Sequence, residues 1–193
     1  MTLTPQAFVN KWQTVDLKER SASQEHFLDL CALLGHPTPA EADPTGERFT
    51  FEAGAAKHSG GQGWADVWKK GYFAWEYKGR HADLDKAYDQ LLQYREALEN
   101  PPLLIVSDLH TLVIHTNFTN TVKQVHTLAL NDLLDPAKLA LLRHAFRRNL
   151  RPIVMTHWVN GVGLCKELVE RTAAEAGKEK GRCPLPQGAS PDM

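Results

Sequence analysis

Two aromatic segments separated by a short turn constrain the fold of this chain more than any other feature. Residues 64–68 and 72–78 are rich in aromatic and β-branched side chains, and Lys69, Lys70 and Gly71 lie between them. Strand-forming residues on both sides of a glycine-containing turn predict a β-hairpin. The chain is therefore expected to fold around a sheet that contains this hairpin.

The predicted hairpin carries charged residues among its aromatic ones. Because residues two apart in a strand project to the same side, Glu76 and Lys78 share one face and the aromatic residues flanking Glu76 share the other. A hairpin centred on Gly71 places Asp66 directly opposite Glu76. The pattern predicts that two carboxylates and one amine converge on a single face.

Two neighbouring carboxylates repel each other unless a positive group separates them. Their oxygen atoms suit Mg²⁺, which binds through one or two carboxylates and leaves positions for water and substrate phosphate. Lys78 would orient or deprotonate a metal-bound water or balance phosphate charge. These residues indicate a site for phosphodiester hydrolysis, and a salt-bridged, solvated hairpin face is the alternative.

The rest of the chain alternates predicted helices and strands. Thr4-Pro5 and Asp135-Pro136 are typical helix starts, and Ser21-x-x-Gln24 has the pattern of a capping box. We predict helices at 4–15, 21–34, 83–97, 131–148 and 156–175, strands at 48–52, 64–68, 72–78, 103–106 and 112–116, and loops at 36–46 and 53–63. This order predicts an α/β fold with a mixed sheet flanked by helices.

Composition excludes several classes of protein. The net charge is −1, so any anionic partner must be held by a local patch. The 3 cysteines and 9 histidines have no disulfide-framework or zinc-site spacing, which favours a reducing, cytoplasmic location. The chain has no secretory signal pattern and no apolar run long enough to span a bilayer, so we expect no membrane association. In the glycine-rich stretch 53–63, Lys57 precedes Gly60 and Gly61, contrary to the order of a phosphate-binding P-loop.

Several blocks of this sequence resemble a known family. GGQGWADVWKKGYFAWEYKG, followed by DLDKAYDQLLQY and NPPLLIVSDLHTLVIHTNFTNT, resembles the N-terminal nuclease region of the MmeI-like restriction-modification enzymes, a branch of the PD-(D/E)xK nuclease superfamily. The resemblance implies a restriction-endonuclease-like fold, followed by a short helical segment, and Mg²⁺-dependent cleavage of double-stranded DNA. We divide the chain into a nuclease-like domain at 1–130, a helical spacer-like segment at 131–175 and a disordered tail at 176–193.

The resemblance assigns roles to the hairpin residues. It implies that Asp66, Glu76 and Lys78 form the magnesium-dependent cleavage site, the same three residues that the strand geometry selects. We also assign Tyr77, between the glutamate and the lysine, to the metal site with Asp66 and Glu76.

Three further residues are candidates on the neighbouring helices. Gln90 and Tyr94 have a Gln-x-x-x-Tyr spacing similar to that of RecB-like nucleases, where these side chains lie beside the active site. An ordinary amphipathic helix is the alternative, because residues one turn apart always share a face. Glu25 is the candidate for the additional acid found on the first core helix of many superfamily members. A purely structural role through the helix dipole is the alternative for Glu25.

Basic residues near the hairpin are candidates for contacts with the DNA backbone. The candidates that flank the proposed site are Lys57, Lys69, Lys70 and Arg80. An arginine cluster at 143–151 could also touch phosphate, although cations at a helix C-terminus are equally expected there.

Full-length members of the resembling family continue into an adenine-methylating domain that uses S-adenosylmethionine and into a DNA-reading domain. This chain lacks their motifs: in Asn100-Pro101-Pro102, Leu103 replaces the aromatic residue that would hold a flipped base. We therefore expect S-adenosylmethionine only through an absent domain, and a methyltransferase or target-recognition subunit as a further partner. A catalytically silent DNA-docking fragment is the alternative function.

Overall fold

The structure, a computed structural model, describes residues 3–15, 19–56 and 62–147. The helices are α1 (Pro5–Thr14), α2 (Glu19–Leu34), α3 (Pro39–Ala42), α4 (Leu84–Tyr94) and α5 (Pro136–Phe146), with a 3-10 helix at Leu130–Leu134. The strands are β1 (Phe49–Ala56), β2 (Gln62–Lys69), β3 (Phe73–Tyr77), β4 (Leu103–Ser107), β5 (Thr111–Thr116) and β6 (Val125–Ala129). None of the described helices is long and apolar enough to cross a lipid bilayer.

The strands form one sheet in the order β1-β2-β3-β4-β5-β6. Neighbouring strands are antiparallel except β3 and β4, which run parallel. Parallel strands need a crossover connection, and α4 supplies it. The predicted α/β class, a restriction-endonuclease-like mixed sheet flanked by helices, is confirmed.

Two helix starts form as the sequence predicts. The Thr4 hydroxyl accepts a hydrogen bond from the Ala7 amide, and the Asp135 carboxylate accepts one from the Ala137 amide. In both cases a proline follows the cap, so the missing proline amide leaves no donor unsatisfied. The predicted helix at 131–148 is nevertheless two pieces, because a 3-10 helix precedes this cap.

Three predicted assignments are wrong, and one strand was not predicted. Helix α2 begins at Glu19, so Ser21 lies inside the helix and does not cap it. The predicted loop at 36–46 contains α3, whose Thr38 and Glu41 satisfy each other's backbone amides in a capping box. The predicted loop at 53–63 contains the ends of β1 and β2, which pair through Ala56 and Gln62. Strand β6 was not predicted because most of its side chains are exposed. The predicted helix at 156–175 and the tail at 176–193 lie outside the described residues.

The hairpin has the predicted register. Val67 faces Trp75, and the next two pairs follow in step. Gly71 in the turn has φ 74°, a left-handed conformation that glycine adopts at little cost. The β2–β3 ladder ends at the Val67–Trp75 pair, one position before Asp66 and Glu76.

The two faces of the sheet carry different cores. One face packs against α1, α2 and α5 in a cluster that we call the aromatic core, with Trp12, Phe27, Trp75 and Phe146 among its buried members. The other face packs against α4 in a smaller cluster, the α4 core, built from alanine and leucine with the ring of Tyr94. Helix α5 belongs to the aromatic core, so the predicted spacer begins with a helix that completes the main fold. The division at 130 and 175 stays a prediction.

Candidate active site

The carboxylate of Glu76 lies at the centre of the candidate site. Glu76 is in the buried strand β3 and is 4% exposed. Its Oε1 accepts hydrogen bonds from Lys78 Nζ at 2.7 Å and Gln90 Nε2 at 2.9 Å. Its Oε2 accepts one from the Tyr94 hydroxyl at 3.1 Å. The structure therefore brings Glu76 and Lys78 together, as strand alternation predicts, and adds Gln90 and Tyr94, whose place beside the site the family resemblance implied.

The strand and the helix each explain part of this arrangement. Lys78 follows Glu76 by two positions, and strand alternation places both side chains on the face that α4 covers. Gln90 and Tyr94 are one helical turn apart on α4 and reach the same carboxylate. A buried carboxylate needs such donors, because an unpaired one would lose its hydration without replacement.

The carboxylate of Asp66 binds the main chain beside Glu76. Asp66 Oδ2 accepts a hydrogen bond from the Tyr77 amide at 2.6 Å. Strand β2 is free of regular pairing at this point, because the β1–β2 ladder also skips the Glu52–Asp66 position. Glu52 has φ 51°, which is unusual for a residue with a side chain. The irregularity in both ladders lets Asp66 turn toward β3.

The electrostatics of the site follow from burial and crowding of the carboxylates. Burial and, after it, the nearby Asp66 charge raise the pKa of Glu76 to about 7, against the lowering effect of Lys78 and Tyr94. Burial and the Glu76 charge also raise the pKa of the Tyr94 hydroxyl, so this group donates as a neutral phenol. Glu76 therefore keeps its proton to a higher pH than an ordinary glutamate does.

A cavity of about 440 Å³ opens beside Asp66. It lies against the first half of α2 and is lined by Asp66, Tyr77, Glu52, Ser23 and Gln24, among others. The Glu76 carboxylate itself faces α4. Asp66 is therefore the residue that links the cavity to the buried glutamate, through its charge and through the Tyr77 main chain.

The donor atoms fit a hard divalent cation held by few protein ligands. Over the described residues, no group of three His, Cys, Asp or Glu side chains could hold a metal ion. A cation here would use Asp66 and Glu76 as protein ligands, with water and substrate phosphate as the others. Mg²⁺ is commonly bound in this way. Oxygen donors alone also argue against zinc.

Tyr77 can join this set only through its carbonyl oxygen. Its hydroxyl is 2.8 Å from His26 Nδ1, on the aromatic face of the sheet. The Lys78 amide bonds to Ser107 of β4, so strand alternation turns the amide and carbonyl of Tyr77 the other way, toward β2 and Asp66. The assignment of Tyr77 to the metal site remains a prediction that this orientation permits.

The amine of Lys69, which we predicted to contact DNA, lies among internal partners. Its Nζ lies 2.8 Å from His36 Nε2 and 2.9 Å from the Phe146 carbonyl oxygen, and 3.9 Å from the centre of the Tyr72 ring. Burial lowers its pKa to about 8. Its amine therefore serves the internal packing of the turn, and we withdraw it from the predicted DNA contacts.

The other predicted basic residues keep their assignment as a hypothesis. Lys70 is exposed and forms an ion pair with Glu99 at 2.6 Å. Arg80 is also exposed. Lys57 lies outside the described residues.

Glu25 forms an ion pair between α1 and α2. Its Oε1 is 2.6 Å from Lys11 Nζ, and the same amine reaches Asp29 at 2.7 Å. The alternative of a structural role, here an ion pair between α1 and α2, fits this placement better than an additional catalytic acid.

Sequence reasoning missed two parts of the site. Ser23, Gln24 and Glu52 line the cavity although no active-site motif marks them. His26 supports Tyr77 from α2, and the only sequence signal was that a buried tyrosine hydroxyl needs a partner.

Comparison with known protein families finds no match, and comparison with curated proteins finds none. Among solved structures, the chain is similar to a cryo-EM structure described as a DrdV–DNA complex, with 19% sequence identity and a TM-score of 0.45. The similarity covers 75% of this chain and 14% of that one, so this chain spans a small part of its neighbour's length.

Proposed function

We propose that this chain is a Mg²⁺-dependent DNA endonuclease module that hydrolyses phosphodiester bonds. The observation that carries the proposal is the buried Glu76 carboxylate, held by Lys78, Gln90 and Tyr94 next to Asp66. An ordinary surface ion pair would not be buried or have three donors around one carboxylate. The resemblance of the surrounding motif blocks to MmeI-like nucleases supports the same conclusion.

Each residue has a distinct task in this proposal. Asp66 and Glu76 would hold the metal, which when bound stabilises charge on the scissile phosphate and lowers the pKa of a bound water. Gln90 and Tyr94 fix the rotamer of Glu76 by donating to its two oxygens. Lys78 balances the charge of Glu76. With metal and DNA bound, its amine would orient or deprotonate the attacking water or balance phosphate charge.

We further propose that the chain is the cleavage module, or a remnant, of a restriction-modification enzyme. Its adenine methyltransferase and target-recognition parts would then lie on a separate domain or subunit, and S-adenosylmethionine would act only there. Double-stranded DNA is the partner of this module. The alternative is a catalytically silent docking fragment that binds DNA and needs its methyltransferase partner for any activity.

Nicking of supercoiled plasmid DNA in Mg²⁺ tests the proposal. We expect Asp66→Ala and Lys78→Ala to slow nicking at least about a hundredfold, the usual minimum for removing a catalytic acid-base group. Lys86→Ala is the matched control, because Lys86 lies on the exposed side of α4. Chelation of the metal should also stop the reaction.

Two outcomes decide between the alternatives. If the two active-site variants nick DNA as fast as the native chain, the cleavage site lies elsewhere and the proposal is wrong. If the native chain shifts DNA in an electrophoretic assay with Ca²⁺ but never nicks it in Mg²⁺, the silent docking fragment is the better description.

A further inference from the structure

His26 connects helix α2 to the strand that carries the candidate metal site. Its ring is 1% exposed, and its Nδ1 lies 2.8 Å from the hydroxyl of Tyr77. The rings of Phe8 and Trp12 enclose it at centroid distances of 5.3 and 4.7 Å. Nothing in the proposed chemistry uses this imidazole, although a buried polar ring among aromatic residues needs a reason to be there.

The protonation state of His26 follows from its surroundings. Burial, helped by His110 and Lys11, lowers its pKa to about 3, so the ring is neutral at physiological pH. The main chain of Leu109 has the opposite, smaller effect on this pKa. A neutral imidazole has one donor and one acceptor nitrogen, so Nδ1 and the Tyr77 hydroxyl can share one hydrogen bond.

Tyr77 connects His26 to the predicted metal-site residues Asp66 and Glu76. Its hydroxyl is held by His26 on one face of the sheet, and its amide is held by Asp66 at the strand edge. Glu76 and Lys78 are its chain neighbours and project to the opposite face. Fixing the Tyr77 ring against α2 thus fixes the rotation of the strand about its own axis, and with it the direction of the Tyr77 carbonyl.

We propose that His26 is a positioning residue for the metal site, which acts by holding the Tyr77 hydroxyl. Through this contact it pre-organises the Asp66 and Glu76 carboxylates and the Tyr77 carbonyl for a divalent cation. Groups that orient metal ligands without touching the metal typically change its affinity about 10- to 100-fold when removed. This inference rests on the proposed function, because it assigns a role toward the same cation.

Two nearly isosteric substitutions separate positioning from packing. His26→Asn keeps an acceptor where Nδ1 lies, whereas His26→Leu has the same shape without one. With the full chain and Mg²⁺ alone, we expect calorimetry to give about tenfold weaker binding for His26→Leu and a much smaller loss for His26→Asn. In the nicking assay, the Mg²⁺ concentration for half-maximal rate should rise in His26→Leu while the rate at saturating Mg²⁺ is retained.

Tyr77→Phe and Thr116→Val complete the test. Tyr77→Phe removes the same hydrogen bond while keeping the ring, so it replaces His26→Leu if that variant does not fold. Thr116→Val removes a buried hydroxyl that accepts from the Gln124 amide at 2.7 Å. Thr116 pairs with Leu103, at the opposite end of β4 from Ser107, the neighbour of Tyr77. We expect Mg²⁺ affinity to be unchanged in Thr116→Val.

The outcomes distinguish this inference from the proposed function. If the native chain binds no Mg²⁺, both are wrong. If it binds Mg²⁺ and His26→Leu and Tyr77→Phe bind equally well, only the role of His26 is wrong. A loss in Thr116→Val equal to that in Tyr77→Phe would likewise reduce His26 to a structural residue.

Discussion

The aromatic core and the α4 core lie on opposite faces of one sheet. The aromatic core contributes mainly to stability, and the candidate site lies beside the α4 core. The aromatic core packs interlocking rings, and His26, which is buried against Trp12, is neutral. The α4 core is smaller, and beside it the ionisable Glu76 is buried. Burying a carboxylate costs free energy that burying a ring does not. The comparison suggests that the larger core supplies the stability that the smaller face uses to hold a reactive group.

The largest effect is expected from a cavity in the aromatic core. Phe27 is fully buried and its ring lies 5.5–6.2 Å from those of Phe49, Phe73, Trp75 and Phe146, among others. Phe27→Ala should lower the free energy of unfolding by about 3–5 kcal/mol in urea denaturation. Leu28→Ala, the next residue on α2 and 39% exposed, should cost less than about 1 kcal/mol. Similar losses of unfolding free energy for both variants would contradict the proposed contribution of the aromatic core to stability.

Replacing Glu76 in the metal-free protein should raise the free energy of unfolding, whereas replacing Phe27 should lower it. The pKa of Glu76 rises from 4.5 when unfolded to about 7 when folded, so its ionisation opposes folding. The native chain should lose stability as pH rises from about 4.5 to 7, at up to about 1.4 kcal/mol per pH unit. Glu76→Gln cannot ionise and should be more stable than the native chain by up to about 3 kcal/mol at pH 8.

Denaturation curves at several pH values, with chelator present, measure this difference. Asp83→Asn is a useful control, since Asp83 is an exposed carboxylate that caps α4 and has a lowered pKa. Its stabilising effect is lost as pH falls, opposite to that of Glu76. If the stability of Glu76→Gln has the same pH dependence as that of the native chain, burial does not raise the pKa of the Glu76 carboxyl.

A smaller effect is expected from Tyr94, which supports Glu76 from α4. Its hydroxyl donates to Glu76 Oε2 and favours the ionised form. Tyr94→Phe should therefore raise the pKa of Glu76 further above its ordinary value, and should cost about 1 kcal/mol of stability. Carbon-13 NMR titration of the glutamate carboxyl measures the first effect. Tyr88→Phe, on another side of the same helix, should leave that titration unchanged.

The smallest effect distinguishes two adjacent lysines. Lys70 is exposed, whereas Lys69 lies against the aromatic core with its amine on the Phe146 carbonyl. If Lys70 contacts a DNA phosphate, Lys70→Ser should reduce the slope of log affinity against log salt by about 0.9. Lys69→Met should leave that slope unchanged and alter only stability. A change of slope in Lys69→Met alone would reverse the assignment.

The sequence was most informative where each interaction is local. The caps at Thr4 and Asp135, the register around Gly71 and the shared face of Glu76 and Lys78 all depend on spacing within one or two elements. The place of Gln90 and Tyr94 beside Glu76 was implied by the family resemblance and not by their spacing alone. The contact of His26 with Tyr77 spans 51 positions, and no periodicity within either element predicts it. The internal position of Lys69 depends on Phe146, 77 positions away, for the same reason.

The break in the β1–β2 ladder at Glu52 and Asp66 divides the two strands into unequal mechanical parts. On one side the strands are continuous with β3 and share its buried faces, and on the other they pair only with each other. The outer part, in which Ala53–Ala56 pairs with Gln62–Ala65, is thus a two-stranded ribbon that joins the rest of the sheet where the regular β1–β2 ladder is interrupted. Bending at that point would move Asp66 relative to Glu76, so a force applied to the outer ribbon would reach the candidate site directly.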